Sequence, residues 1–324
     1  MVCVNVRSNT STKSMSDKIQ VNLSSTALGQ SGCILRFHRT VIDGYKEIPS
    51  AKIVYGVAVH KFIDTMYKTG GDMGAGFNAM KKAFALQKEP ETKSAHIMEE
   101  RHVMNTCQSL WFGFCADDST FEIIQMDGKS LTEQTFSIPY YEDDYIQVNL
   151  CGTIDKIGQF KGGCFAIGDW KTTSYSYKPE GYFRRYELSR QTRFYTLACK
   201  LMAQREPDST LGRIGATHMG AFIDGIFLKP NANDNVVQRS EVFQYRESEL
   251  NEFQQTVDDF IRKLSNHVRT GYLPKEGIVN GSCEGKYECQ YWNVCKNREP
   301  ISTMILNKEF KRVPFNPLDY NELE

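Results

Sequence analysis

Two short stretches, Gly152-Thr153-Ile154-Asp155-Lys156 and Gly168-Asp169-Trp170-Lys171-Thr172, decide how this chain reads. Each is an apolar run that ends in a carboxylate, and Gly162-Gly163 lies between them as a turn. They therefore read as adjacent strands of a hairpin, at about 145–157 and 163–170. Residues two apart on a strand share a face, so Asp169 and Lys171 should look into one site. Trp170 should point the other way, into the core, which leaves its backbone carbonyl free to act as a ligand. Upstream, Tyr55-Gly56-Val57-Ala58-Val59-His60 falls within residues 50–68, where apolar residues recur at helical spacing. Between them the three segments offer a histidine, two carboxylates and a lysine. Such a set can hold a hard divalent cation and activate a water beside it, as hydrolysis of a phosphodiester requires. Taken singly, an Asp-x-Lys is usually a surface pair and a helical histidine usually a core residue. Their joint occurrence, in this order, is what reverses that judgement.

Outward from these segments the signals alternate between helix and strand, without repeats. Residues 76–126 read as mainly helical and 134–139 as a strand. Residues 182–206 read as one long helix, bounded by Pro179-Glu180-Gly181 and Pro207. A strand pair is expected at about 215–228 and 236–245. In residues 247–270, Leu250, Phe253, Val257, Phe260, Ile261, Leu264 and Val268 share a helical face. The expected fold class is α/β, a central mixed sheet flanked by helices.

The chain has 324 residues, equal numbers of basic and acidic side chains, and a formal net charge of zero. Whole-chain charge thus gives no sign of a nucleic-acid partner. A local patch, Arg184, Arg185, Arg190, Arg193 and Lys200, is either such a sign or a solvated helix face. No apolar run reaches the length of a membrane span, and the N-terminus lacks the apolar core of a secretory signal. With ten cysteines and no such signal, a reducing compartment is expected. The chain reads as cytoplasmic (host cytoplasm if phage-encoded), with no membrane partner. Residues 1–20 read as a flexible tail.

The ordered motifs resemble the RecB-like branch of the PD-(D/E)XK nuclease superfamily, whose fold has a restriction-endonuclease-like core. Its pattern is a Gly-x-x-x-His helix, a Gly-x-x-Asp strand, an Asp-x-Lys strand and a Gln-x-x-x-Tyr helix. Gly56 to His60, Gly152 to Asp155, Asp169 to Lys171 and Gln191 to Tyr195 match it in turn. The resemblance implies a metal-dependent DNA exonuclease that uses Mg²⁺ or Mn²⁺. It makes His60, Asp155, Asp169 and the Trp170 carbonyl metal ligands and Lys171 the catalytic lysine. Gln191 and Tyr195 would position Lys171 or the substrate phosphate, and Arg190 and Arg193 would contact DNA. Glu133 reads as a surface residue, with an accessory acid as the alternative.

Cys283, Cys289 and Cys295 cluster after the last long helix, and Cys33 lies far upstream. Three clustered cysteines and a remote one resemble the iron–sulfur subgroup of the family, which includes AddB-type subunits, exonuclease V and CRISPR-adaptation nucleases. By that resemblance the four thiolates ligate a [4Fe–4S] cluster that joins the two ends of the fold. Five residues separate Cys283 from Cys289, where the family usually has two. A structural Zn²⁺ on the same thiolates is the alternative. The other six cysteines (3, 107, 115, 151, 164 and 199) read as buried or incidental thiols. A nuclease domain over 21–298 and a C-terminal tail over 299–324 are expected. The family further implies single-stranded ends as substrate, cut 5′ to 3′, in recombination, repair, or CRISPR or phage DNA processing. The runner-up function is a non-catalytic iron–sulfur DNA-binding subunit. No Walker A sequence is present, so a helicase partner would be a separate protein.

Overall fold

A computed structural model describes residues 18–46, 51–85, 93–126, 128–174, 179–217, 219–229, 234–283, 289–313 and 315. Most of the segment expected as an N-terminal tail, Cys3 included, lies outside these residues. The fold is the expected α/β arrangement, a mixed sheet between helical layers. Its seven strands are β1 (Ile19–Leu23), β2 (Phe121–Ile123), β3 (Thr132–Glu142), β4 (Ile146–Phe160), β5 (Phe165–Ser174), β6 (Met219–Leu228) and β7 (Val236–Arg239). The order β1-β4-β5-β6-β7 runs across the sheet, with β2 and β3 also paired to β4. β1 runs parallel to β4 and β6 parallel to β5, while the other pairings are antiparallel.

β4 explains where a site can form. One edge pairs with β3 and then β2. The other pairs with β1 over residues 146–150 and with β5 over 156–159. Between those two ladders, residues 151–155 have no strand partner on that edge among the described residues. Backbone groups and side chains there are left to meet something other than a ladder. Asp155 is the last residue of that gap.

Helices cover both faces. On one side lie α1 (Ala51–Lys68), α2 (Met73–Phe84) and α3 (Lys93–Leu110), whose buried residues pack with Trp170 and Ile226. Val54, Ala58, Phe62, Ile63 and Met66 recur at helical spacing on α1, and burial of that stripe holds it to the sheet. On the other side, α5 (Arg190–Arg205) and α6 (Glu247–Thr270) share a core with β1, β3 and β4. α4 (Pro179–Glu187) lies against β6, Tyr182 meeting Phe227 edge-on at 5.1 Å.

Several expectations need correction. The single helix over 182–206 is two, because Ser189 takes an extended backbone and its hydroxyl accepts from Gln191 N, capping α5. The helical reading of 76–126 fails at its end. Asp118 accepts from the backbone of Thr120 and Phe121, and β2 follows with Phe121 and Ile123 buried and Glu122 exposed. The strand expected over 236–245 ends at Arg239. Residues 299–313, within the segment expected as a tail, hold a helix at Ile301–Glu309. Lys311–Arg312 then pairs with Tyr45–Lys46, and Phe310 stacks on Tyr291 at 4.8 Å.

Candidate metal centre

The paired ladder of β4 and β5 ends at Lys156↔Gly168. Beyond it, Trp170 N donates to Asp155 Oδ2 at 2.8 Å, so a carboxylate takes the place of a ladder carbonyl. This locks Asp155 and Asp169, from adjacent strands, into one neighbourhood. The Trp170 indole points into the opposite core, as the alternation of the strand required.

The motif glycines have physical reasons. A Cβ on Gly56 would stand 3.0 Å from Thr172 Oγ1, so glycine lets α1 approach β5 closely. His60, one turn later on the same face, thereby reaches the sheet, its Nδ1 3.4 Å from Asp155 Oδ2. A Cβ on Gly152 would stand 3.1 Å from the Tyr195 ring and 3.2 Å from Phe136. Its absence makes room for Tyr195 beneath the site.

One group of three ligand-bearing side chains stands out among the described residues. Ligand atoms of His60, Glu133 and Asp155 all lie within 4.8 Å of one another. Glu133 thus corrects the surface reading. It is the one described non-glycine residue with positive φ, +47°, set between the pairs Thr132↔Lys156 and Gln134↔Ile154. The register of β3 against β4 sets Glu133 opposite Asp155.

The electrostatics suit a cation. Burial, then the charges of Asp155 and Asp64, push the Glu133 carboxyl up to about 9. Burial lowers the His60 pKa despite Asp155 beside it, so the ring stays neutral, and its Nδ1 is buried with no hydrogen-bond partner. A neutral imidazole with an orphaned nitrogen beside two crowded carboxylates fits a divalent ion. The three side chains make a site for one such cation.

Asp169 and Lys171 stand next to this group and form an ion pair. Gln191 Nε2 donates to Asp169 Oδ1 at 2.8 Å and to Tyr195 Oη at 3.3 Å. The Gln-x-x-x-Tyr helix therefore holds Asp169, not Lys171. Burial and the nearby Asp155 charge push Asp169 up to about 7, against the opposing pull of Lys171. Burial works against the Lys171 charge, but Asp169 and Asp155 outweigh it and raise its pKa, so it is an ammonium. Burial likewise raises Tyr195, which stays a neutral phenol.

The arginine patch is largely tied up within the fold. Arg193 pairs with Glu249 at 4.0 Å and lies over Tyr245, Lys200 pairs with Glu247, and Arg185 stacks on Tyr182. Arg190 donates from Nε to Ser25 O at 3.0 Å.

In another part of the fold, Cys33, Cys283, Cys289 and Cys295 line a single cavity with Arg36, Arg39 and Lys275. Burial and then the other three thiols raise the Cys283 pKa. Of the six remaining cysteines, Cys107, Cys115, Cys151 and Cys199 are buried and Cys164 is half-buried.

No helix among the described residues is long and apolar enough to cross a membrane. No curated protein matches the chain. A sequence profile of the PD-(D/E)XK nuclease superfamily, however, matches residues 24–296, a span that holds the whole centre and all four clustered cysteines. With the metal-binding geometry of His60, Glu133 and Asp155, that match makes the chain a hydrolytic nuclease, and it belongs to the PD-(D/E)XK nuclease superfamily.

Proposed function

We propose that the protein is a metal-dependent DNA exonuclease of the RecB-like, iron–sulfur branch, acting on single-stranded ends. The observation that carries the metal chemistry is the convergence of His60, Glu133 and Asp155 within 4.8 Å, beside the Asp169–Lys171 pair. A bound Mg²⁺ or Mn²⁺ would neutralise phosphoryl oxygens and lower the pKa of an attacking water. His60, Asp155 and Asp169 would supply ligands together with the Trp170 carbonyl, and Glu133 would add another. Asp169 orients the Lys171 ammonium, which stabilises the charge that develops on the phosphate. Gln191 and Tyr195 fix Asp169 in turn. The Trp170 N–H fixes Asp155.

The cysteine cavity supports the iron–sulfur part of this reading. A single Zn²⁺ at about 2.3 Å from each thiolate would draw the sulphurs to about 3.8 Å of one another. A [4Fe–4S] cluster would hold the same four thiolates further apart, and metal analysis separates the two. Such a cluster would join Cys33, before α1, to the segment after α6, closing a domain over 21–298. The single-strand preference, the 5′-to-3′ direction and a separate helicase, recombination or CRISPR partner rest on the family resemblance alone.

Digestion of end-labelled single- and double-stranded DNA with Mg²⁺, Mn²⁺ or chelator tests the function. Metal-dependent release of mononucleotides or short products from single-stranded 5′ ends is expected. Cleavage that survives chelation, or none with any metal, overturns it. Efficient cutting of closed single-stranded circles would make it an endonuclease. Protein purified without oxygen should contain iron and sulfide, and zinc in their place would overturn the cluster but not the nuclease.

A further inference from the structure

Two arginines from distant parts of the sequence meet at one turn. Arg36, on the short helix Ile34–Phe37, donates from Nη2 to Gly29 O at 3.3 Å. Arg190, the first residue of α5, donates to Ser25 O, and its Nη2 lies 2.5 Å from where a Cβ on Gly29 would stand. Both guanidiniums therefore sit at the turn of Gly29. Neither pairs with a carboxylate among the described residues. Arg36 Nε is buried without any partner. Burial and then the Arg36 charge hold Arg190 below the usual arginine range.

Elsewhere in the fold a buried arginine has its carboxylates. Arg239 bonds both Asp224 and Asp118. Arg36 is half-buried and Arg190 exposed, and neither has such a partner among the described residues, which leaves both able to meet a ligand. The cysteine cavity can compensate Arg36, which lines it, but Arg190 does not line that cavity. Two guanidiniums held in place by backbone carbonyls, with donors left over, are a receptor for a tetrahedral oxyanion. Their position gives the anion a context. Gln191, next to Arg190, holds Asp169 of the metal centre.

We propose that Arg36 and Arg190 together bind one phosphate group of the polynucleotide strand, other than the phosphate being cleaved. The inference rests on the nuclease reading above and deepens it. The substrate is then a strand with phosphates beyond the scissile one, and the N-terminal turn at Gly29 is part of its path. Contact with the backbone alone implies equal effects on all sequences.

The test is equilibrium binding of a fluorescein-labelled single-stranded 12-mer, in Ca²⁺ to prevent cleavage, across a salt series. Arg36→Gln and Arg190→Gln should each weaken binding roughly tenfold, alike for oligo-dT and oligo-dC. Each should also make the slope of log K against log salt shallower by about 0.7. The double variant should lose no more slope than either single one, because the phosphate is shared. Twice the loss would mean two separate phosphates and would overturn the shared site. Unchanged binding in the variants would overturn the inference while leaving the nuclease reading intact. Failure of the wild-type protein to bind DNA would sink the nuclease reading itself, and the inference with it. Should Arg36→Gln fail to fold, Arg190→Gln and Arg190→Lys carry the test. The lysine should restore the slope that glutamine loses, and its failure to do so would count against an anion there.

Discussion

Two buried charged clusters flank Trp170, and they differ in a way that separates a site from a support. Behind the indole, Lys156 and Arg239 face Asp224 and Asp118, two cations for two anions. Arg239 donates to both oxygens of Asp224 at 2.8 Å, and the Lys156 ammonium lies 3.4 Å from the centre of the Trp170 ring. On the peptide side of the same residue, Glu133, Asp155 and Asp169 face the single ammonium of Lys171, with His60 neutral. There the carboxyls of Glu133 and Asp169 are pushed up, and His60 Nδ1 has no partner. Burial is common to both clusters, so burial does not mark the function. Unbalanced charge with an orphaned donor or acceptor does, because folding alone would select against it. The balanced cluster needs nothing further. The unbalanced one needs a cation.

Substitutions on the two sides of Trp170 should therefore fail differently. Asp169→Ala or Lys171→Ala should lower cleavage by about a hundredfold or more while DNA binding stays close to wild type. Near-normal activity of both would remove them from the centre. Asp224→Asn should instead cost about 3–5 kcal/mol in urea unfolding, since it strands the buried Lys156 and Arg239 beside it. Activity per folded molecule should survive. A variant of the balanced cluster that folds normally and is inactive would break the comparison.

Glu133→Gln should sharpen it. Glutamine is neutral, like the protonated carboxyl it replaces below about pH 9, so the metal-free protein should keep its stability near neutral pH. The metal concentration for half-maximal activity should rise by about tenfold or more. The pH dependence has a definite sign. A carboxyl moved from 4.5 to about 9 binds its proton more tightly when folded. Its contribution is present below about 4.5 and lost as pH rises towards 9, so metal-free protein should weaken across that window. Asp169, moved from 3.8 to about 7, adds to the loss only in the lower part. Added Mg²⁺ should stabilise the protein more at pH 8 than at pH 6, and Glu133→Gln should shrink that difference. Equal stabilisation at both pH values in the wild type would argue against an ion bound among these carboxyls.

How much of this was legible in the sequence follows from the range of each interaction. β4, β5, α1 and α6 show in local periodicity, and His60, Asp155, Asp169 and Lys171 in their spacing. Glu133 does not, because its place depends on the register of β3 against β4, which no local spacing announces. The Lys156–Asp224 pair joins residues far apart in the chain, and Lys156 beside Asp155 reads as one more charge of a strand. Arg193 and Lys200 seemed free for DNA because their partners, Glu249 and Glu247, come from α6. The break before α5 is different. Ser189 ahead of Arg190-Gln191 is a capping signal that was present, and apolar periodicity on both sides of it masked it.

The smallest effect is expected at His60. It sits on α1, apart from the strands that carry the carboxylates, and reaches them only because Gly56 lets the helix come close. Its ring is neutral and can lend one nitrogen without adding charge, so Asp155 and Glu133 still attract an ion in its absence. His60→Ala should then leave an enzyme that reaches much of its rate at higher metal concentration. The preference should also change. An imidazole suits Mn²⁺ better than Mg²⁺, so the all-oxygen site that remains should lose more affinity for Mn²⁺. Parallel titrations of both metals, with activity and thermal midpoint read together, measure this. A His60→Ala protein with the wild-type curve for each ion would return the histidine to the core of the fold and leave the carboxylates to hold the metal alone.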